Sequence, residues 1–260
     1  MNLGLNARRA ARGWERNMRL QFIGCGDAFG SGGRANTCFH VTGAKANFLF
    51  DCGASTLPAM KTHKIDRLKI DTILITHFHA DHFGGIPFFI LDAMYVAKRC
   101  DPLTIAGPPG LKEWYARAMA AAFPGDRTPP FEITLHEVEI GARQQIGELA
   151  VTPFHVVHDN RVGPCLAYRV EAEGKTICYS GDTEWTAELL KAARGVDLFV
   201  CECYTFNGSA PTHMSYTVLR DNLPEIGAKR VVLTHMSEPM LARLGEVEHE
   251  TAQDGMIVEV

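Results

Sequence analysis

The sequence predicts an α/β fold of two similar halves, with two mixed sheets stacked face to face and helices outside. Three observations lead there. β-rich and α/β segments alternate twice along the chain, so the same order of elements runs through two times. The run Ile73-Leu74-Ile75 is apolar on both faces, as befits a strand in the middle of a covered sheet. No stretch between segments is long enough to link independent domains.

The elements follow in order. Runs rich in β-formers at 19–23, 37–41 and 47–50 are separated by glycine-rich turns and predict strands. From Ser55 helices alternate with strands: a strand at 70–75, a helix at 86–99, a strand at 103–106 and a helix at 111–123. The segment FPGDRTPP at 123–130 interrupts the pattern, because proline and glycine end regular structure. A second strand-rich block covers 132–138 and 149–157, then a hairpin over 165–179 that turns at Glu173-Gly174. Helices return at 184–193 and 216–223, interleaved with strands at 198–203 and 230–233. Residues 1–17 hold Arg8, Arg9, Arg12 and Arg16 but neither the apolar stretch nor the cleavage site of a secretory signal. They are expected to form an Arg-rich extension, with 18–260 as one domain.

Composition narrows the function classes. With 46% hydrophobic content in 260 residues the chain can bury one substantial core. A net charge of −4 supplies no long-range basic field, which argues against non-specific nucleic-acid binding as the main activity and leaves only a local basic groove. The 8 cysteines form no C-x-x-C pair, so reduced, mostly buried thiols and a cytoplasmic location are expected. No apolar run approaches the ~20 residues of a membrane span, so no membrane partner is expected, and a homodimer is left open.

Chemistry concentrates in ITHFHADHFGG at 75–85, where His77, His79, Asp81 and His82 fall within six positions at the end of the apolar strand. Strand ends leading into a helix are where α/β proteins place their sites. In extended backbone His77 and His79 point to the same side and suit one metal, while Asp81 and His82 join only if the chain turns, which sets a second group of donors beside the first. Two metals are therefore expected. The competing view, a solvated polar loop, fits isolated histidines such as His40, His63, His136 and His249, but not four metal-competent side chains crowded beside an apolar helix.

T-H-F-H-A-D-H resembles the H-x-H-x-D-H signature of the metallo-β-lactamase superfamily, and the likeness extends over nearly the whole chain. LFDCG at 49–53 is similar to that superfamily's strand-end aspartate motif, VVHDN supplies a third histidine, SGDT at 180–183 resembles the bridging-aspartate motif and LTHMS at 233–237 the final histidine motif. The resemblance implies the four-layer αββα sandwich of that fold. It also implies that His77, His79 and His158 hold one divalent ion and Asp81, His82 and His235 the other, with Asp182 between them and Asp51 behind the ligands. Zinc is the expected metal, with manganese or iron as alternatives. An open position shared by the ions would hold a water whose pKa falls toward neutrality, a hydroxide nucleophile at pH 7.

Two histidines need a choice. His155 and His158 differ by an odd offset, so a strand sends them to opposite faces; His158 ends the apolar run and is preferred, with His155 as the alternative. Asp182 can alternatively be read as an N-terminal residue of the helix at 184–193. CECYTFNGSAPTHMSY resembles the ribonuclease Z segment with a non-ligand histidine near the scissile bond, which places His213 as proton donor and Glu202 behind it. Asp81 and His213 are the catalytic candidates. GCGDAFGSGG at 24–33 lacks G-x-G-x-x-G spacing and precedes a strand, so it is no dinucleotide loop; it resembles the glycine-rich first turn of ribonuclease Z-like sequences, at the site rim.

Aspartate at 182 differs from the cysteine of true β-lactamases, and the glycine-rich start with LFDCG resembles the ribonuclease Z and small phosphodiesterase branch. The 23 residues between His158 and Asp182 leave no room for the arm with which many ribonuclease Z proteins grip tRNA. The expected activity is therefore hydrolysis of a small phosphodiester or related small-molecule ester. The alternatives are an iron-dependent sulfur dioxygenase of the same fold, a tRNA 3′-processing ribonuclease Z-like endonuclease, and a metal-bound module without turnover.

Overall fold

The computed structural model describes residues 17–208 and 210–260; apart from Asn17, the expected Arg-rich extension lies outside the described residues. The first sheet is built from β1 (Arg19–Gly24), β2 (Cys38–Thr42), β3 (Asn47–Phe50), β4 (Thr72–Leu74), β5 (Leu103–Gly107) and β6 (Ile133–Glu137). The second contains β7 (Gln144–Ile146), β8 (Leu149–Val156), β9 (Cys165–Ala172), β10 (Lys175–Tyr179), β11 (Leu198–Glu202), β12 (Arg230–Thr234) and β13 (Glu250–Thr251). The last strand, β14 (Ile257–Glu259), returns to the first sheet and pairs antiparallel with β1. The two orders are β14-β1-β2-β3-β4-β5-β6 and β13-β12-β11-β10-β9-β8-β7, seven strands each.

The halves share a plan. β3 to β6 run parallel, as do β10 to β13, and the remaining neighbours pair antiparallel. Period-two alternation decides which side chains meet between the sheets. Phe48 and Phe50 join Phe22, Phe39, Tyr168 and Tyr179 in the inner core, whereas Leu49 faces the outer layer. The edge-on pairs Phe39–Tyr179 and Phe50–Tyr179, with ring centroids 4.9 and 5.7 Å apart, lock one sheet to the other. Helices α1 (Thr56–Thr62), α2 (Ala80–Phe83), α3 (Ile86–Tyr95) and α4 (Leu111–Ala122) accompany the first sheet. The second half carries α5 (Ala187–Ala193), α6 (Tyr216–Ile226) and α7 (Glu238–Leu241).

Boundaries moved where side chains found other work. The helix expected to reach residue 99 ends at Tyr95, because the Arg99 guanidinium turns inward to donate to the carbonyls of Arg67, Leu68, Ile70, Asp101 and Pro102. The helix expected from 184 begins at Ala187, where Thr186 Oγ1 accepts the Leu189 N–H and caps it; Asp182 therefore caps nothing. The helix expected to end at 223 continues to Ile226 and stops at Gly227, whose φ of 62° suits a residue without Cβ. All eight cysteines are unpaired, and only Cys100 is exposed. No helix among the described residues is long and apolar enough to cross a membrane.

Candidate metal centre

The site side chains hang from strand ends that the two sheets bring to one edge. Asp51 follows β3, His77 follows β4 through Thr76, His158 lies just beyond β8, Asp182 beyond β10, and His235 directly after β12. The HADHFGG turn packs backbone to backbone on the DCG loop. Cys52 N–H donates to His82 O at 2.7 Å, Ala54 N–H to Ala80 O at 3.1 Å, and Gly85 N–H to Cys52 O at 2.8 Å. A Cβ on Gly53 would lie 2.1 Å from Asp81 O and one on Gly85 2.2 Å from Gly53 O, so the glycines are what let the motif sit this close.

Two donor groups result. His77 Nε2 lies 3.1 Å from His79 Nδ1, which lies 3.1 Å from His158 Nε2. Asp81 Oδ2, His82 Nε2 and His235 Nε2 form the second trio, with separations of 3.2 and 3.3 Å. Asp182 Oδ2 stands between them, 3.2 Å from His82 Nε2, 3.3 Å from His235 Nε2 and 3.9 Å from both His77 Nε2 and His158 Nε2. A tetrahedron of ~2.1 Å metal–ligand bonds has edges of about 3.4 Å, so each trio has the spacing of a coordination shell. Asp182 Oδ1 is buried without a hydrogen-bond partner among the described residues, as an atom facing a cation would be. The donor set fits two divalent ions.

Behind the donors, most far nitrogens are held. Asp51 accepts from His82 Nδ1 at 2.7 Å and from Thr76 Oγ1 at 2.9 Å, and Thr76 Oγ1 lies 3.0 Å from His77 Nδ1. One buried carboxylate thus orients an imidazole in each trio. His158 Nδ1 donates to Thr212 O at 3.0 Å, and His79 Nε2 to Asp159 Oδ2 at 3.2 Å. Asp51, Thr212 and His235 have φ of 57°, 65° and 57°, the left-handed region that non-glycine residues rarely occupy, and each serves this site. Burial and the neighbouring imidazoles push His77 well below the ordinary histidine range, which keeps its nitrogen free to ligate.

His213 sits beside the donors without joining either trio. Its Nδ1 donates to the buried Glu202 carboxylate at 3.1 and 3.2 Å, and its ring stacks on Tyr204 with centroids 4.6 Å apart. Burial works against its charge, but the Glu202 carboxylate prevails and raises the imidazole pKa to about 9. A cleft of about 420 Å³ opens over these groups, lined by His79, Asp81, His158, Asp182, His213 and His235 together with Ala28, Phe29, Asn36, Ala54 and Tyr204.

All the expected site residues converge except the alternative His155, which is exposed on β8 while His158 is buried. His40, His63, His136 and His249 lie outside the centre; His40 bonds Asn47, His136 bonds Gln144 and His249 bonds Tyr216. Sequence reasoning missed Thr76, Asp159, Tyr204 and the Thr212 carbonyl. Thr76 and Asp159 were findable, since each directly adjoins a candidate histidine.

Residues 46–236 match the family model described as the Beta-lactamase superfamily domain. The chain belongs to the beta-lactamase superfamily. It is a metal-dependent hydrolase of that superfamily. Among curated relatives it is 28% identical over 270 residues to a Ribonuclease Z of Methanothermobacter thermautotrophicus, covering 85% of this chain and 87% of the relative. It is 27% identical over 287 residues to a Ribonuclease BN of Cronobacter sakazakii, covering 85% and 89%. Among solved structures the fold is that of human tRNase Z, short form, with TM-score 0.74, 24% identity and coverage of 93% and 99%. A diphosphatase from the PhnP family matches with TM-score 0.76, 18% identity and coverage of 94% and 98%.

Proposed function

We propose that this superfamily member hydrolyses a small phosphodiester at a centre of two divalent ions, zinc, with manganese or iron as alternatives. The observation that carries this is the placement of Asp182 Oδ2 between the two donor trios. His77, His79 and His158 would hold one ion and Asp81, His82 and His235 the other, with Asp182 between the two groups. When bound, such a pair supplies Lewis acidity and a hydroxide nucleophile at neutral pH. Asp51 fixes the tautomers of His82 and, through Thr76, of His77, so their Nε2 lone pairs face the centre. His213, kept protonated by Glu202 and oriented by Tyr204, delivers its Nε2 proton to the leaving oxygen.

A second reading, cleavage of RNA, is favoured by the names of the ribonuclease Z relatives. Against it stand the net charge of −4 and the short β9–β10 hairpin, which occupies most of the chain between His158 and Asp182 and leaves no arm there. Metal content of the purified protein, paired with rates on phosphodiester, phosphomonoester, thioester and lactone substrates and on a tRNA precursor with a 3′ trailer, tests both. Two zinc or manganese ions per chain and preference for the small diester are expected. Efficient, salt-sensitive trailer removal would replace this reading with an endonuclease, and one iron per chain with oxygen consumption would replace it with a dioxygenase.

A further inference from the structure

Phe29 is 81% exposed, the highest value for a large apolar side chain among the described residues, and it lines the cleft over the donor trios. Its exposure is built in. The carboxylate of fully buried Asp27 accepts Phe29 N–H at 3.1 Å, Ser31 N–H at 3.0 Å and Ser31 Oγ–H at 2.7 Å, while Asn36 Nδ2 donates to Asp27 O at 3.0 Å. Gly32 N–H donates to Glu238 Oε1 at 2.7 Å, which ties the loop to the second half. A rigid turn therefore holds an open aromatic face beside the chemistry, where water gains nothing from it. The small side chains of Ala28 and Ala54 line the same cleft.

The cleft also has a direction. A second recess of about 330 Å³ shares His79, His158 and His213 with the first and continues to Arg161, Pro211 and Thr212, without reaching Phe29. His213 borders both recesses, so a diester at the donors has one recess for each of its two ester groups. Resting on the phosphodiesterase reading above, we infer that the retained alcohol carries a planar aromatic group, such as a nucleobase, and that Phe29 is its stacking platform. Base–aromatic stacking is tolerant of base identity and strong enough to change affinity roughly tenfold or more. Phe29 thus selects for a nucleotide-like phosphodiester over an alkyl one without reading sequence.

The test compares thymidine 5′-(p-nitrophenyl phosphate) with methyl p-nitrophenyl phosphate, which share a leaving group and differ in the retained alcohol. The ratio of their kcat/KM values should fall by roughly tenfold or more in Phe29→Ala and in Phe29→Leu, and return in Phe29→Trp. A ratio unmoved by Phe29→Ala, or held at the wild-type value by Phe29→Leu, would overturn the stacking role. If the wild-type protein hydrolyses neither diester, the phosphodiesterase reading fails by itself. The stacking inference is then decided by calorimetric binding of thymidine 5′-monophosphate against methyl phosphate to the metal-loaded protein, with the same variants and the same two outcomes.

Discussion

Removing the shared carboxylate is the most direct challenge to a two-ion centre. Asp182→Ala deletes an oxygen that lies 3.2 and 3.3 Å from the nearest nitrogens of one trio and 3.9 Å from two nitrogens of the other. Two divalent ions bring four positive charges, which Asp81 and Asp182 offset by two; the substitution leaves Asp81 alone. A unit charge at ~4 Å and an effective dielectric of ~20 is worth about 4 kcal/mol. If water entering the vacated space recovers half of this, about 2 kcal/mol remains per ion, or 30-fold or so in affinity. The fold should survive, because Asp182 lies in a loop beyond β10 and its Oδ1 has no protein partner among the described residues. The assay is metal per chain after dialysis against a fixed low concentration of zinc, together with turnover of the small diester and the circular-dichroism spectrum. Full occupancy by two ions with normal turnover would refute the shared-ligand assignment.

Other substitutions separate ligands from their supports. His158→Ala should weaken metal binding by at least the ~10-fold that disturbed coordination shells show, whereas exposed His155→Ala should leave metal content unchanged; the reverse result in metal titrations would make His155 the ligand. Asp51→Asn, which frees one imidazole in each trio, should cost roughly 10–100-fold in metal affinity with secondary structure retained, and isothermal titration with zinc checks it. His213→Ala should lower kcat by about 10²–10⁴ with metal content unchanged, and loss of metal instead would make His213 a ligand rather than a proton donor.

What could be read from the chain alone followed the distance over which each feature is encoded. The H-x-H-x-D-H run was legible because four metal-competent side chains lie within six positions, whereas strand parity alone could not place His158, which lies beyond the end of β8. The strands β7, β13 and β14 escaped notice because each spans two or three residues, too few for a periodic pattern. The helix over 86–99 was drawn too long because nothing local announces that Arg99 will leave it to satisfy carbonyls 29 to 32 residues earlier. The supports of the donors were hidden for the same reason: the Thr212 carbonyl reaches His158 from 54 residues away, on a loop whose path the sequence does not declare.

Each donor trio crosses the boundary between the two halves. His77 and His79 need His158, and Asp81 and His82 need His235, so neither half can close a coordination shell alone. The protein joins them before any ion does: His235 N–H and Thr234 Oγ–H both donate to Cys25 O, so the glycine-rich turn that presents Phe29 also positions the last ligand. That turn is pinned in its own right, since Asp254 accepts from Cys25 N–H at 3.0 Å and Ala35 N–H at 2.7 Å. An ion bound to either trio then favours the packed arrangement of the two sheets by the free energy of its binding to the folded state alone. The left-handed backbone at Asp51, Thr212 and His235 costs about 1–3 kcal/mol at each position, a cost that metal binding at this centre can offset. The residues proposed to hold the ions are therefore also placed to clasp the two sheets together.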